Sequence, residues 1–351
     1  MTDSGAGAAA AMTLAALGWQ AFFAAQFRVD EAGLSPARVF GVRRRSLTVV
    51  VEGGEADLHL AGRWFLLPAE ARPTVGDWVL LDAGRRRIVR LLARRSLLLR
   101  RAAGRQHELQ PLAANVDTMF LVTSCNEEFN RSRVERYLAL ALDAGIQPVV
   151  VLTKADLTDH PETYRDAVQR LLPALPVVAV NARDPATLAE VRQWCRTGQT
   201  VALFGSSGVG KSTLVNSLMG APVQDTGSIR DADSKGRHTT TSRSLHLLRD
   251  GGLLLDGPGM RELTLADVDQ GVAALFIDIE ALAAECRFRN CRHDAEPGCA
   301  VRAALAAGAL DARRLESYRK LGPAVAETPV PAAPRPRGTG ARGRRGGPRR
   351  A

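Results

Sequence analysis

Long apolar runs are missing from this chain. No stretch of its 351 residues approaches the roughly 20 consecutive apolar side chains that a membrane-spanning helix needs, so a helical anchor is not expected. A basic leader is missing too. The first charged residue is Asp3 and no Lys or Arg precedes Arg28, so a signal peptide and a membrane-surface helix both fit poorly. Cysteine is scarce: five residues, an odd number without disulfide-like repetition, argue against a disulfide-framed fold and for a reducing compartment. Acids are absent from Arg335 to Ala351, where seven arginines supply +7 of the net charge of +10. The remaining +3 is modest, so the folded body need not be basic all over. The excess still points to a polyanionic partner. A cytoplasmic, membrane-free protein is expected.

What is present suffices for real cores. With 46% apolar residues in a chain of this length, two or three domains are expected. Residues 1–35 read as a leader with a short apolar helix carrying Leu14, Leu17, Trp19, Phe22, Phe23 and Phe27. Residues 36–105 hold five short strand-like runs, at 38–42, 47–52, 57–60, 77–82 and 87–92, with a hairpin signal at Gly53-Gly54. This spacing predicts a small OB-like β-barrel. The interleaved arginines, at 43–45, 85–87, 94, 95, 100 and 101, point to nucleic-acid contact. Residues 106–265 alternate strands (119–123, 148–153, 177–180, 201–204, 253–255) with helices (132–144, 164–172, 185–194, 212–219), the pattern of a parallel sheet covered on both faces. Ser132 and Glu135 read as a capping box for the first of those helices. Residues 266–322 read as helices interrupted by a Cys/His cluster. Residues 323–351 are Arg/Gly/Pro-rich, lack periodic apolar positions, and are expected to be disordered.

The run Gly205-Ser206-Ser207-Gly208-Val209-Gly210-Lys211-Ser212-Thr213 matches G-x-x-x-x-G-K-S/T between a strand and a helix. Such a loop turns backbone N–H groups toward phosphate oxygens at a helix N-terminus. Lys211 adds charge for the β- and γ-phosphates, and Ser212 a hydroxyl for Mg²⁺. A nucleoside triphosphate site follows. After another strand, Thr153-Lys154-Ala155-Asp156 resembles the N-K-x-D guanine-specificity motif. Asp156 can accept from the guanine ring N–H and the exocyclic amine together, and the stem of Lys154 can lie across the base. Asn181-Ala182 follows the next strand and resembles the loop that approaches the base oxygen, with Asn181 replacing the usual Ser. Downstream, Asp256-Gly257-Pro258-Gly259 fits D-x-x-G, with Asp256 toward Mg²⁺ and the Gly259 N–H toward the γ-phosphate. Thr240, or alternatively Thr241, is the candidate switch threonine over the metal.

The base motifs thus precede the phosphate loop, the reverse of the ordinary order, which a circular permutation accommodates. With the barrel ahead and the cluster behind, and with Gly18-Trp19, Gly76-Asp77-Trp78, Asn115-Val116-Asp117 and Gly236-Arg237-His238-Thr239-Thr240-Thr241, the chain resembles the RsgA/YjeQ family of circularly permuted GTPases. The resemblance implies a multidomain protein with an N-terminal OB-like barrel, a permuted α/β P-loop GTPase domain and a mostly helical zinc-binding domain. It implies GTP and GDP as ligands, and action in maturation of the small (30S) ribosomal subunit through rRNA contacts, with turnover stimulated by the subunit. The protein is expected to be a monomer. Met260 stands where many GTPases have a water-orienting Gln, so His238 is the candidate catalytic group, beside Lys211 and Thr240.

Cys286, Cys291, His293 and Cys299 form a Cys₃His set within fourteen residues, suited to one structural, tetrahedral Zn²⁺. Arg287, Arg289 and Arg292 lie among these ligands as candidate RNA contacts. Cys125 and Cys195 read as core residues without chemistry. Competing readings are a permuted GTPase of large-subunit assembly, an RNA-binding scaffold with GTP as structural ligand, and a P-loop kinase or ATPase.

Overall fold

The computed structural model describes residues 12–43, 45–101, 109–220, 243–256 and 268–322. The switch segment with His238, Thr240 and Thr241, the Gly257–Gly259 turn, Met260 and the Arg-rich tail lie outside the described residues.

Short β-branched runs between turn residues give five antiparallel strands: β1 (Ser35–Val42), β2 (Ser46–Val51), β3 (Gly54–His59), β4 (Trp78–Leu81) and β5 (Ile88–Leu91). Their order is β3-β2-β1-β4-β5, an OB-like arrangement. Glu52 and Gly53 turn β2 into β3, with Gly53 at φ +86°, a left-handed backbone that glycine adopts without steric cost. Alternate residues Val39, Leu47, Val49, Val79 and Leu81 face inward. The leader helix α1 (Ala21–Ala24) packs on this unit: Trp19 meets Trp78 edge-on at 4.7 Å and Phe23 lies 5.8 Å from the same ring. Helix α2 (Gly62–Phe65) precedes β4 and sends Arg63 to the carbonyl of Ile88.

A hairpin of β6 (Leu97–Arg101) and β7 (Leu109–Ala114) leads into the central sheet. That sheet comprises β8 (Thr118–Ser124), β9 (Gln147–Thr153), β10 (Val177–Ala179), β11 (Thr200–Phe204), β12 (Ser244–Leu247) and β13 (Leu253–Asp256). Its order, β10-β9-β8-β11-β13-β12, is parallel up to the last, antiparallel pair. Strands β8 and β11 are buried along their whole length, which explains their continuous apolar text. Helices α3 (Arg131–Asp143), α4 (Pro161–Gln169), α5 (Ala189–Arg192) and α6 (Lys211–Met219) flank the sheet. Strand β12 also pairs with β1 through Gly41 and Ser244, so barrel and central sheet are continuous.

Helices α7 (Asp269–Leu275), α8 (Ile277–Ala284), α9 (Ala300–Ala306) and α10 (Ala312–Leu321) follow. Gly271 lets α7 approach α3: a Cβ there would lie 1.9 Å from the Ala139 carbonyl oxygen. Arg313 on α10 pairs at 2.8 Å with the fully buried Glu135 of α3. The capping-box expectation is therefore corrected. Asn130 caps α3, accepting from the Arg133 N–H at 3.0 Å, while Ser132 lies inside the helix and Glu135 serves Arg313. The helix expected at 185–194 is a 3₁₀ turn, Pro185–Leu188, followed by α5, because Asp184 caps that turn.

Arg38 on β1 is the buried tie between these parts. Its guanidinium donates to the carbonyls of Leu17, Gly76 (3.3 Å) and Asn115 (3.0 Å) and to Thr200 Oγ1 (2.8 Å). Burial brings its pKa down to about 10, which leaves it charged at neutral pH. Arg38→Ala leaves the Leu17 and Asn115 carbonyls and the Thr200 hydroxyl without this donor, while Gly76 keeps the Asn115 side chain, and is expected to cost about 3–5 kcal/mol. Arg38→Lys should recover only part, because one ammonium cannot span them. Urea unfolding checks this; a loss below about 1 kcal/mol would contradict it.

Candidate functional site

The parallel strands end their carboxyl edges together, where ligands bind in open α/β sheets. The phosphate loop leaves β11 there and enters α6. Gly205 is required by space: a Cβ would sit 2.2 Å from the Val122 carbonyl oxygen. Gly210, at φ +88°, is the N-terminal flank of α6 and adopts a backbone that side chains other than glycine resist. The first turn of α6 then presents its N-terminal N–H groups to an anion at this edge. Lys211 folds back, with its ammonium on the Ser206 carbonyl.

Strand β9 ends at Thr153, beside this loop. The fully buried Thr153 hydroxyl lies 3.0 Å from the Thr123 carbonyl oxygen and 2.5 Å from that of Val209. It therefore ties the T-K-x-D turn to the phosphate loop. Lys154 follows in the left-handed region at φ +55°, and Asp156 is exposed in the short turn Ala155–Leu157. Such a backbone is costly for a non-glycine residue and marks a held turn. The Ala155 N–H reaches the Val180 carbonyl at 3.2 Å, which draws the end of β10 to the same place. Ala182 is buried, and its carbonyl accepts from Ser217 Oγ of α6 at 2.6 Å. Asn181 turns its side chain to its own loop, accepting from the Arg183 N–H at 3.0 Å. Asp256 ends β13, one residue beyond the pairing of Leu255 with Ala202, on the flank of the loop that Ser212 enters. The structure thus gathers Thr153, Lys154, Asp156, Asn181, Ala182, Gly205–Thr213 and Asp256 on one edge. Arg133 of α3 joins them, donating to Ser206 Oγ at 2.6 Å. No local pattern announces it, because 73 residues separate the pair.

The cluster is a second site. Cys286, Cys291, His293 and Cys299 bring their ligand atoms within 4.8 Å of one another. Cys286 Sγ lies 3.8 Å from Cys299 Sγ and 3.6 Å from His293 Nδ1, with Cys299 Sγ to Nδ1 at 3.5 Å. A tetrahedron with Zn–S bonds near 2.3 Å has edges of about 3.8 Å, so three thiolates and an imidazole fit zinc. Burial holds His293 below its ordinary pKa and favours the neutral ring a metal takes. Arg287, Arg289 and Arg292 are exposed on the loop that carries these ligands. Burial pushes the thiols of Cys125 and Cys195 up to about 11 and about 12, which suits inert core residues.

The barrel arginines divide. Arg94 pairs with the fully buried Asp77 at 2.7 Å and Arg90 with Glu31 at 2.6 Å, so both serve the fold. Arg45, Arg85 and Arg86 are exposed. Among the described residues no helix is long and apolar enough to cross a membrane.

A family model for the RsgA GTPase matches residues 91–266. A Vibrio vulnificus protein named small ribosomal subunit biogenesis GTPase RsgA 2 is 50% identical over 310 residues, covering 88% of this chain and 87% of its own length. A Mesorhizobium japonicum small ribosomal subunit biogenesis GTPase RsgA is 48% identical over 331 residues, covering 93% and 94%. The crystal structure of YjeQ from Thermotoga maritima superposes with a TM-score of 0.61 at 25% identity, over 82% of this chain and 97% of that one. YloQ, described as a circularly permuted GTPase, shares the fold with a TM-score of 0.58 at 23% identity, over 84% and 96%.

Proposed function

This chain belongs to the RsgA GTPase family, and on that premise we propose that it acts in late maturation of the small ribosomal subunit, with GTP hydrolysis gating its release. The observation that carries the reading is the Thr153 hydroxyl at the Val209 carbonyl, which joins a base-reading turn to a phosphate loop in one sheet. The similarity to the Vibrio and Mesorhizobium proteins over most of both chains supports the choice of subunit.

Phosphoryl transfer to water asks the protein for positioning and charge stabilisation. Asp156 accepts from guanine, Lys154 covers the base, and Asn181-Ala182 closes the base side. The loop amides and Lys211 hold the phosphates. Ser212, Thr240 and Asp256 would hold Mg²⁺, which neutralises charge on the β- and γ-oxygens. Gly259 senses the γ-phosphate. Ordering of the Thr240 segment by the γ-phosphate, and its release on hydrolysis, makes the switch. Cys286, Cys291, His293 and Cys299 would hold one structural Zn²⁺, which would fix the Arg287–Arg292 loop in shape. That loop and the exposed barrel arginines contact rRNA, so binding should weaken steeply with salt. The units divide near residues 35, 105, 265 and 322. The protein works as a cytoplasmic monomer.

His238 orients or accepts from the attacking water, because Met260 can do neither. His238→Ala should leave GTP binding intact and lower subunit-stimulated turnover by about 100-fold. Nucleotide titration beside stimulated hydrolysis checks this; unchanged stimulated turnover would remove His238 from the mechanism.

A further inference from the structure

Arg133 sits in the first turn of α3, just after the Asn130 cap. It is half-buried, and its Nη1 donates to Ser206 Oγ at 2.6 Å. Among the described residues no carboxylate pairs with its guanidinium, in contrast to Arg90, Arg94, Arg313 and Arg314. Ser206 is therefore held twice. Its hydroxyl takes Arg133, and its carbonyl takes the Lys211 ammonium.

That double hold orients the loop. The P-loop lysine serves the β- and γ-phosphates, so the resting place of its tip marks the Ser206 end as the β/γ end. An ammonium carries three donors, so Lys211 can reach phosphate while it keeps the Ser206 carbonyl. Arg133, anchored on α3 outside the loop, is the tie to the Ser206 hydroxyl. A guanidinium carries five donors and a permanent charge. Placed at the β/γ end with no carboxylate paired to it among the described residues, that charge favours the more negative nucleotide.

We propose that Arg133 is a positioning residue for the triphosphate end of the nucleotide, acting through Ser206, and that it makes this loop prefer GTP to GDP. The proposal rests on residues 205–213 being the phosphate loop.

The test is equilibrium binding of a fluorescent non-hydrolysable GTP analogue and of fluorescent GDP to the full chain. The variants are Arg133→Ala, Arg133→Lys, Ser206→Ala and the Arg133→Ala/Ser206→Ala pair. Arg133→Ala is expected to weaken the GTP analogue about tenfold and GDP by no more than about threefold. Ser206→Ala should match it, and the pair should be no weaker than either alone, since both remove one interaction. Arg133→Lys should restore most of the GTP preference. Equal loss for both nucleotides that Lys does not restore, or no loss in any variant, overturns the proposal. Failure of the unaltered chain to bind either nucleotide would overturn the phosphate-loop reading itself, and the proposal with it.

Discussion

Lys211→Ala is expected to leave a folded protein whose GTP turnover falls by about 10²–10³-fold. The folded state should survive because the side chain is only partly buried and bonds a loop carbonyl. The chemistry should not survive. A loose phosphoryl-transfer transition state gathers charge on the γ-oxygens, and the protein stabilises it with fixed donors and cations. The loop amides remain in the variant, since Gly205 and Gly210 set their directions independently of Lys211. The loss should therefore fall on kcat as well as on affinity. Single-turnover hydrolysis at saturating GTP, beside thermal unfolding, separates the two. Turnover within a few-fold of the unaltered chain would mean that another cation carries the charge.

Removal of the metal should have the second large effect. The loop from Cys286 to Cys299 contains no helix or strand and spans the break between α8 and α9. Cys299 caps α9, its sulfur accepting from the Arg302 N–H at 3.4 Å, so loss of the cluster also loosens a helix start. Structural zinc contributes on the order of 10 kcal/mol to such modules. Metal analysis should give one zinc per unaltered chain and none for the Cys286→Ala/Cys299→Ala variant, in which protease should cut within 286–299. Nucleotide affinity should change less than about threefold, because α7 and α10 stay attached to α3 through Gly271 and the Glu135–Arg313 pair. A chain that carries zinc despite both substitutions, or that resists protease in that loop without metal, would contradict this account.

The two sites differ from their surroundings in how well the sequence announced them. The phosphate loop and the Cys₃His set are local: their ligands sit within a few residues, so spacing alone carries the geometry. The central strands were legible because burial on both faces leaves continuous apolar text. Strands β6, β7 and β12 were not read as strands. Arg100, Pro111 and His246 break their patterns; β6 and β7 are held by pairing with each other, and β12 in part by β1, far back along the chain. The Ser132/Glu135 pattern misled for a related reason. An i, i+3 pair of those types also arises inside an amphipathic helix, and Glu135 answers to Arg313, 178 residues away. Arg94 reads as basic surface, yet it is consumed by the buried carboxylate of Asp77. Thr153 shows the converse. Its departure from the usual Asn weakened the guanine motif as text, whereas its buried hydroxyl reaches the Val209 carbonyl and ties the turn to a loop 56 residues on.

The most direct measurement is steady-state GTP turnover by the full chain alone, with purified small ribosomal subunits, and with large subunits, each repeated with ATP. The account predicts slow GTP hydrolysis alone, stimulation by small subunits only, and no comparable ATP turnover. Stimulation by large subunits, or subunit binding with no rise in turnover, would contradict it.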